Sequence, residues 1–280
     1  MRDSKEIGPE YIFDNADAQT PARFKVLSAL YDPGSIEHLS KLGVSEGWRC
    51  LEIGAGPGSM ASWLSHRVGL SGQVVATDID TRFLEQMQRP NLKVLRHDLR
   101  TEPVPEGEFD LIHSRLVLMH LPEREKVLSS LVNALKPGGW LLMEEFDALS
   151  LHPDPEVSPF EAALKTNLAM RHIMRQQGLD LRYGRLLVGQ LRRLGLVDLS
   201  AEGRTSMWQG GSLGADLMRA NFLQLQEMVI ASELVTQGEF EQDLARLNEP
   251  DFLMPSPVLW AVQGRQPHLP GGNLKSRKLM

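Results

Sequence analysis

Three acidic residues and a run of alternating glycines carry the most chemistry in this 280-residue chain. The stretch CLEIGAGPGS, Cys50–Ser59, sets Glu52 just ahead of Gly54, Gly56 and Gly58. A dinucleotide-binding G-x-G-x-x-G loop would place its third small residue where Ser59 stands. Glycines let backbone approach a ligand closely, and a helix opening behind them offers free N–H groups and partial positive charge to a carboxylate or phosphate. Asp78, twenty residues beyond Gly58, is suited to accept both hydroxyl hydrogens of a ribose, and Asp98, in His97-Asp98-Leu99, an adenine amino group. The ligand these residues describe is an adenosine with an anionic end. Each acid also has a purely structural reading: Asp78, beside Asp80, is a candidate helix N-cap, and Asp98 a cap for the turn after it.

The elements that must position these residues alternate strand and helix. Apolar runs predict strands at Arg49–Ile53, Gln73–Ile79, Lys93–Leu99, Phe109–Leu116 and Trp140–Phe146. Between them fall helices over Ser59–Val68, around Phe83 and Met87, and from Leu121 towards Leu135, where Lys136-Pro137-Gly138-Gly139 reads as a helix stop. This order implies right-handed βαβ units and a parallel sheet, whose ligands sit at the C-terminal strand ends. Thr20-Pro21 and Asp32-Pro33 each predict the start of an N-terminal helix. Beyond residue 150 the alternation loosens into helices over Pro159–Gln177, Arg185–Leu194, Leu213–Val235 and Glu239–Leu247, with strands at Val197–Ser200 and Val258–Gln263.

The series E-x-G-x-G-x-G, an acid closing the second strand, H-D-L, FDLIHSRLVLMHLPE and LKPGGWLLMEE resembles the motifs of class I S-adenosylmethionine (SAM) dependent methyltransferases, closely over residues 45–150 and compatibly to about residue 266. The nearest likeness is to the small-molecule, natural-product and quinone-type branch. The resemblance implies an α/β fold, a Rossmann-like doubly wound seven-stranded sheet whose last strand is antiparallel, with an added helical lid. It implies SAM as cofactor. Glu52, Gly54, Gly56 and Gly58 would shape the methionine half of the site, and Asp78 would bind the ribose with Ile79 packed on adenine. Asp98 and Leu99 would hold the adenine edge, and His113, closing the fourth strand, would stand where the backbone meets the methionine amino group and faces the methyl.

The implied organisation is N-terminal helices over residues 1–44 capping the site, and a SAM-binding domain over 45–266 with helical insertions at about 151–183 and 210–255. A disordered tail would follow over 267–280. The implied activity is methyl transfer to O, N or C of a small lipophilic acceptor. The alternative is a SAM-binding protein of this fold that catalyses a non-methylating reaction or serves as a ligand-binding partner. If the acceptor must lose a proton, His113 and His120 are the candidate bases, and Glu144 and Glu145 are candidates to orient it. Met170, Met174, Met207, Met218, Met228, Phe222 and Trp208 are candidates for the apolar surface over it.

Composition narrows the classes further. A net charge of −6 disfavours a nucleic-acid partner, and the apolar runs are too short and charged for a membrane span. The start, MRDSKEIGPE, lacks the apolar core of a secretory signal and is expected to be loosely held. Cys50 is the only cysteine, so no internal disulfide or cysteine-based metal centre is expected. A cytoplasmic protein acting on small molecules, with no metal, is the expectation; the oligomeric state, a homodimer included, stays open.

Overall fold

The computed structural model describes Phe13 and residues 20–105, 107–150 and 160–268. The first ten residues and the tail beyond His268, read above as loosely held and disordered, lie outside the described residues. Among the described residues nine strands follow in chain order: β1 (Arg49–Ile53), β2 (Gln73–Asp78), β3 (Leu92–Arg96), β4 (Phe109–Arg115), β5 (Leu135–Asp147), β6 (Val197–Arg204), β7 (Met207–Gln209), β8 (Leu253–Pro255) and β9 (Val258–Arg265). The helices are α1 (Thr20–Lys41), α2 (Ser59–Val68), α3 (Arg124–Asn133), α4 (Phe160–Gln176), α5 (Tyr183–Arg193), α6 (Leu213–Gln224), α7 (Gln226–Ala231) and α8 (Gln237–Arg246).

Seven strands form one sheet in the order β3-β2-β1-β4-β5-β9-β6. Strands β1 to β5 pair in parallel, and β9 runs antiparallel to both β5 and β6, as the sequence implied. Strand order reverses between β1 and β4, so the crevice of an open α/β sheet falls at their C-terminal ends. Side chains alternate across the sheet. Leu51, Ile53, Ile112, Leu141 and Met143 join one apolar layer with Leu131 of α3 and Leu187 of α5. Cys50, Leu111 and Leu142 join the other, with Leu39 of α1 and Met60 and Leu64 of α2. Each fully buried aliphatic side chain contributes about 1.5–3 kcal/mol. The same alternation turns Glu52, His113 and Glu144 towards α1, three ionisable groups in an apolar layer.

Several elements differ from the sequence expectation. The N-terminal region forms one helix with Pro33 inside it, not two. Polar contacts grip it on both sides of the proline: Arg115 donates to Asp32 at 2.6 Å and to Ser35 at 2.8 Å. The segment around Phe83 and Met87 makes only turns, with the N–H groups of Leu84 and Glu85 both on the Thr81 carbonyl. Pro90 closes it before a helix can propagate. The stretch 213–235 breaks at Leu225 into α6, packed mainly on α1, and α7, packed on α4. β5 begins at Leu135, before the glycines, and a register shift opposite Phe109 and Leu111 absorbs the mismatch. The β7–β8 ribbon was not anticipated. Among the described residues, no helix is long and apolar enough to cross a membrane.

Helix α8 starts in a capping box: Thr236 Oγ1 accepts the Glu239 N–H at 3.3 Å, and Glu239 Oε2 accepts the Thr236 N–H at 2.9 Å. Thr236→Ala should lower unfolding free energy by about 1 kcal/mol in urea titrations. An unchanged midpoint would mean that this cap contributes nothing.

Candidate active site

The chain leaves β1 through three positive-φ glycines, of which Gly54 and Gly58 are sterically required. Gly54 has φ +64° and an added Cβ would collide with Val117; Gly58 has φ +85°, and its Cβ would collide with Met87 and Leu84. Gly58 is also the N-cap of α2, so the turn ends on a helix N-terminus. Asp78 closes β2 beside it, accepting the Gly56 N–H at 2.8 Å and the Asp80 N–H at 3.0 Å. Burial raises its carboxyl above the usual range, against those donors and the Ile79 N–H. Asp98 is held by Arg100 through Nε at 3.0 Å and Nη2 at 2.8 Å, and this pairing keeps its carboxyl low.

His113 does not end its strand. β4 continues to Arg115, and β1–β4 pairing sets His113 opposite Glu52, inside the sheet. Its ring is fully buried, with Nδ1 2.7 Å from Glu52 Oε2 and Nε2 3.0 Å from Glu144 Oε2. Burial alone would depress its pKa, but Glu52 and Glu144 outweigh it and raise the value to about 9. The imidazolium thus donates to both carboxylates. Ser35 also donates to Glu144 Oε2, which fastens α1 to this network.

Glu145 faces the opposite side, accepting the Val117, Leu118 and Met119 N–H groups at 3.1, 2.6 and 3.4 Å. It thereby caps the short 3₁₀ turn Leu118–His120, and burial raises it to about 8. Neither Glu144 nor Glu145 lines the cavity, contrary to the expectation that they orient an acceptor. Leu116, first beyond β4, has φ +58°, a conformation costing a non-glycine residue about 1–3 kcal/mol and concentrated at functional sites.

A cavity of about 260 Å³ opens over these strand ends. Glu52, Gly54, Gly56, Asp78, Ile79, Asp98 and Leu99 line it, while Gly58 only supports the turn. His120 also lines it; burial, with Arg23 and Arg124 nearby, pushes this imidazole down to about 3. Of the apolar residues expected over the site, Met170, Met174, Trp208 and Met218 line it. Phe222 instead lies in the core, and Met207 and Met228 face solvent. Arg23, Asn167, Arg171, Asn221 and Met254 also line it, and no spacing or motif in the sequence marks them. Among the described residues, no cluster of three or more His, Cys, Asp or Glu could hold a metal.

The charge on His113 has a measurable consequence. Its folded pKa lies above the unfolded 6.5, so its stabilisation is complete below about pH 6.5 and is lost as pH rises through about 9. Glu145 is also raised, so its contribution has the same sign but fades earlier, between about 4.5 and 8. Wild-type stability should therefore decline by on the order of a few kcal/mol from pH 6.5 to 9. His113→Gln should start less stable and follow a flatter curve above pH 8, measured by urea denaturation. Parallel curves would show that His113 takes up no extra proton on folding.

Comparison with known proteins agrees with this geometry. Residues 51–143 match the methyltransferase domain family. A ubiquinone/menaquinone biosynthesis C-methyltransferase of Pseudomonas fluorescens is 35% identical over 112 residues, 37% of this chain and 44% of that protein. Its counterpart in Edwardsiella ictaluri is 31% identical over 140 residues, 43% of this chain and 56% of that one. The chain thus spans about half the length of the curated relatives it matches. In fold it is similar to a phosphoethanolamine N-methyltransferase of Haemonchus contortus solved with S-adenosylhomocysteine, at TM-score 0.58 and 16% identity over 92% of this chain and 59% of that one. It is also similar to the YcgJ protein of Bacillus subtilis, at TM-score 0.53 and 16% identity over 84% of this chain and 99% of that one. Residues 51–143 thus carry the match to a methyltransferase domain, and the order and direction of the strands are those of a Rossmann-like methyltransferase fold, with a glycine turn after β1, Asp78 closing β2 and Asp98 just beyond β3.

Proposed function

We propose that the protein transfers a methyl group from SAM to O, N or C of a small, lipophilic organic acceptor held under a helical lid. One observation carries the reading: a single cavity has the glycine turn, Asp78 and Asp98 at one end, and Met170, Met174, Trp208 and Met218 among its other walls. SAM, when bound, supplies an activated methyl on a sulfonium. The residues present fit it. Asp78 keeps a lone pair beyond its backbone contacts with Gly56, Ile79 and Asp80 for the ribose hydroxyls. Ile79, Asp98 and Leu99 give the adenine a wall and a polar edge. Glu52 and the turn hold the methionine half, where Glu52, the one member of the buried network that lines the cavity, offers a carboxylate suited to a cation.

In this reading His113 is a positioning cation and not a base. Both ring nitrogens are engaged by carboxylates, and it does not line the cavity. His120 reaches the cavity as a neutral ring that can orient an acceptor but holds a proton weakly. This favours acceptors that reach the site already carrying a free lone pair, such as an amine bound uncharged, with the proton released after transfer passing to water. The walls then contribute chiefly by alignment, an effect worth up to about 7–11 kcal/mol. Helices α1, α4 and α6 contribute side chains to the cavity and form its lid, which excludes water from the transfer.

Asp78→Ala should weaken binding of S-adenosylhomocysteine at least tenfold by calorimetry, because a paired hydrogen-bond acceptor is lost. Unaltered affinity would remove Asp78 from the site. Methyl transfer itself requires a product one methyl heavier, with one S-adenosylhomocysteine released per turnover. A product without that gain would leave a SAM-binding protein of another activity.

A further inference from the structure

Four arginines line the cavity, and their counter-charges are unequal. Arg100 pairs with Asp98 at 2.8 Å, and Arg115 with Asp32 at 2.6 Å. Among the described residues, no carboxylate lies within ion-pair distance of Arg23 or Arg171. Arg23, only 7% exposed, donates from Nε to Asn221 Oδ1 at 2.8 Å and lies over the Phe13 ring at 4.1 Å. Arg171 is half-buried on α4, one residue after Met170 and three before Met174, both in the cavity wall. Burial, with Arg175 nearby, draws its pKa below the usual guanidinium range. Asn167, one turn earlier on α4 and 4% exposed, joins the same lining.

A desolvated guanidinium facing no anion is unfavourable, and a bound anion relieves it. The planar fork of an arginine matches a carboxylate in two parallel hydrogen bonds. The three acids that line the cavity are engaged elsewhere: Glu52 by His113, Asp98 by Arg100 and Asp78 by backbone N–H groups. The adenosyl end thus holds acids that already have partners, whereas the helices opposite bring arginines that, among the described residues, have no carboxylate partner, set among thioethers and an indole. We propose that the acceptor is a carboxylic acid, with an apolar body lying along Met170, Met174, Trp208 and Met218 and a carboxylate received by Arg171, with Arg23 supplying the second cation. This rests on the reading of the lid side as the acceptor site. It makes Arg171 a specificity-determining residue that reads the acceptor's charge.

The test uses the full chain and three probes of one length: decanoate, decan-1-ol and decylamine, titrated calorimetrically below their micelle concentrations with and without S-adenosylhomocysteine. Decanoate should bind at least tenfold more tightly than the alcohol, and the amine weakest. Arg171→Gln should weaken decanoate binding at least tenfold while leaving S-adenosylhomocysteine affinity within about twofold, and Arg171→Lys should recover part of the loss. Alcohol or amine binding as tightly as decanoate would overturn the proposal. So would an unchanged decanoate affinity in an Arg171→Gln protein that melts like wild type and still binds S-adenosylhomocysteine. Failure of S-adenosylhomocysteine to bind would instead count against the methyltransferase reading, and the charge preference measured without it would still decide this proposal.

Discussion

One buried ion network sets the position of nearly everything at the site. Glu52 of β1, His113 of β4 and Glu144 of β5 lie at most 3% exposed at the side chain, in a layer otherwise filled by Cys50, Leu111, Leu142 and Leu39. Such charges are tolerated only when paired, because removing one partner leaves an ion uncompensated in an apolar surrounding. The pairing links β1 to β4 and β4 to β5 through side chains as well as backbone. Ser35 extends it into α1, and Arg115 with Asp32 repeats the link one step closer to the cavity. The helix that carries Arg23, Phe24 and Leu27 into the cavity wall is therefore anchored to the strands that shape the site floor.

Strand alternation then divides the labour between two neighbouring glutamates. Glu144 points towards α1 and completes the cation network, whereas Glu145 points to the other layer and gathers three backbone N–H groups. That second contact fixes the turn from Leu116 to His120, whose positive-φ start at Leu116 brings Val117 against Gly54. The glycine is required by this neighbour as much as by any ligand. A carboxylate pair that resembles catalytic equipment thus acts as scaffold, and the faces left open to the cavity belong to Glu52, Asp78 and the backbone between them.

Much of this was legible in the sequence because punctuation there is strong. The alternating glycines and the βα rhythm mark β1, α2 and β2 to within a residue or two, and VLWAVQ marks the antiparallel strand. Phe109–Leu116 has no such marker, so nothing in it distinguishes a histidine at the strand end from one inside the sheet. Only the Glu52–His113 register makes that distinction. The helices lining the cavity were legible as apolar helices, yet their polar members were not. Arg23, Asn167, Arg171 and Asn221 come from three separate helices, and no local spacing brings them together. Pro33 inside α1 and the break at Leu225 were missed for a related reason, since tertiary contacts there override local start and stop signals.

An imidazolium at position 113, charged at neutral pH, ties β4 to β1 and β5 through Glu52 and Glu144, and Ser35 joins α1 to the same network. Nitrogen-15 chemical shifts of the His113 ring, recorded at pH 7 with and without S-adenosylhomocysteine, test that charge most directly. Both ring nitrogens should be protonated in both states, consistent with a pKa raised to about 9. A neutral ring with one unprotonated nitrogen at pH 7 would contradict it.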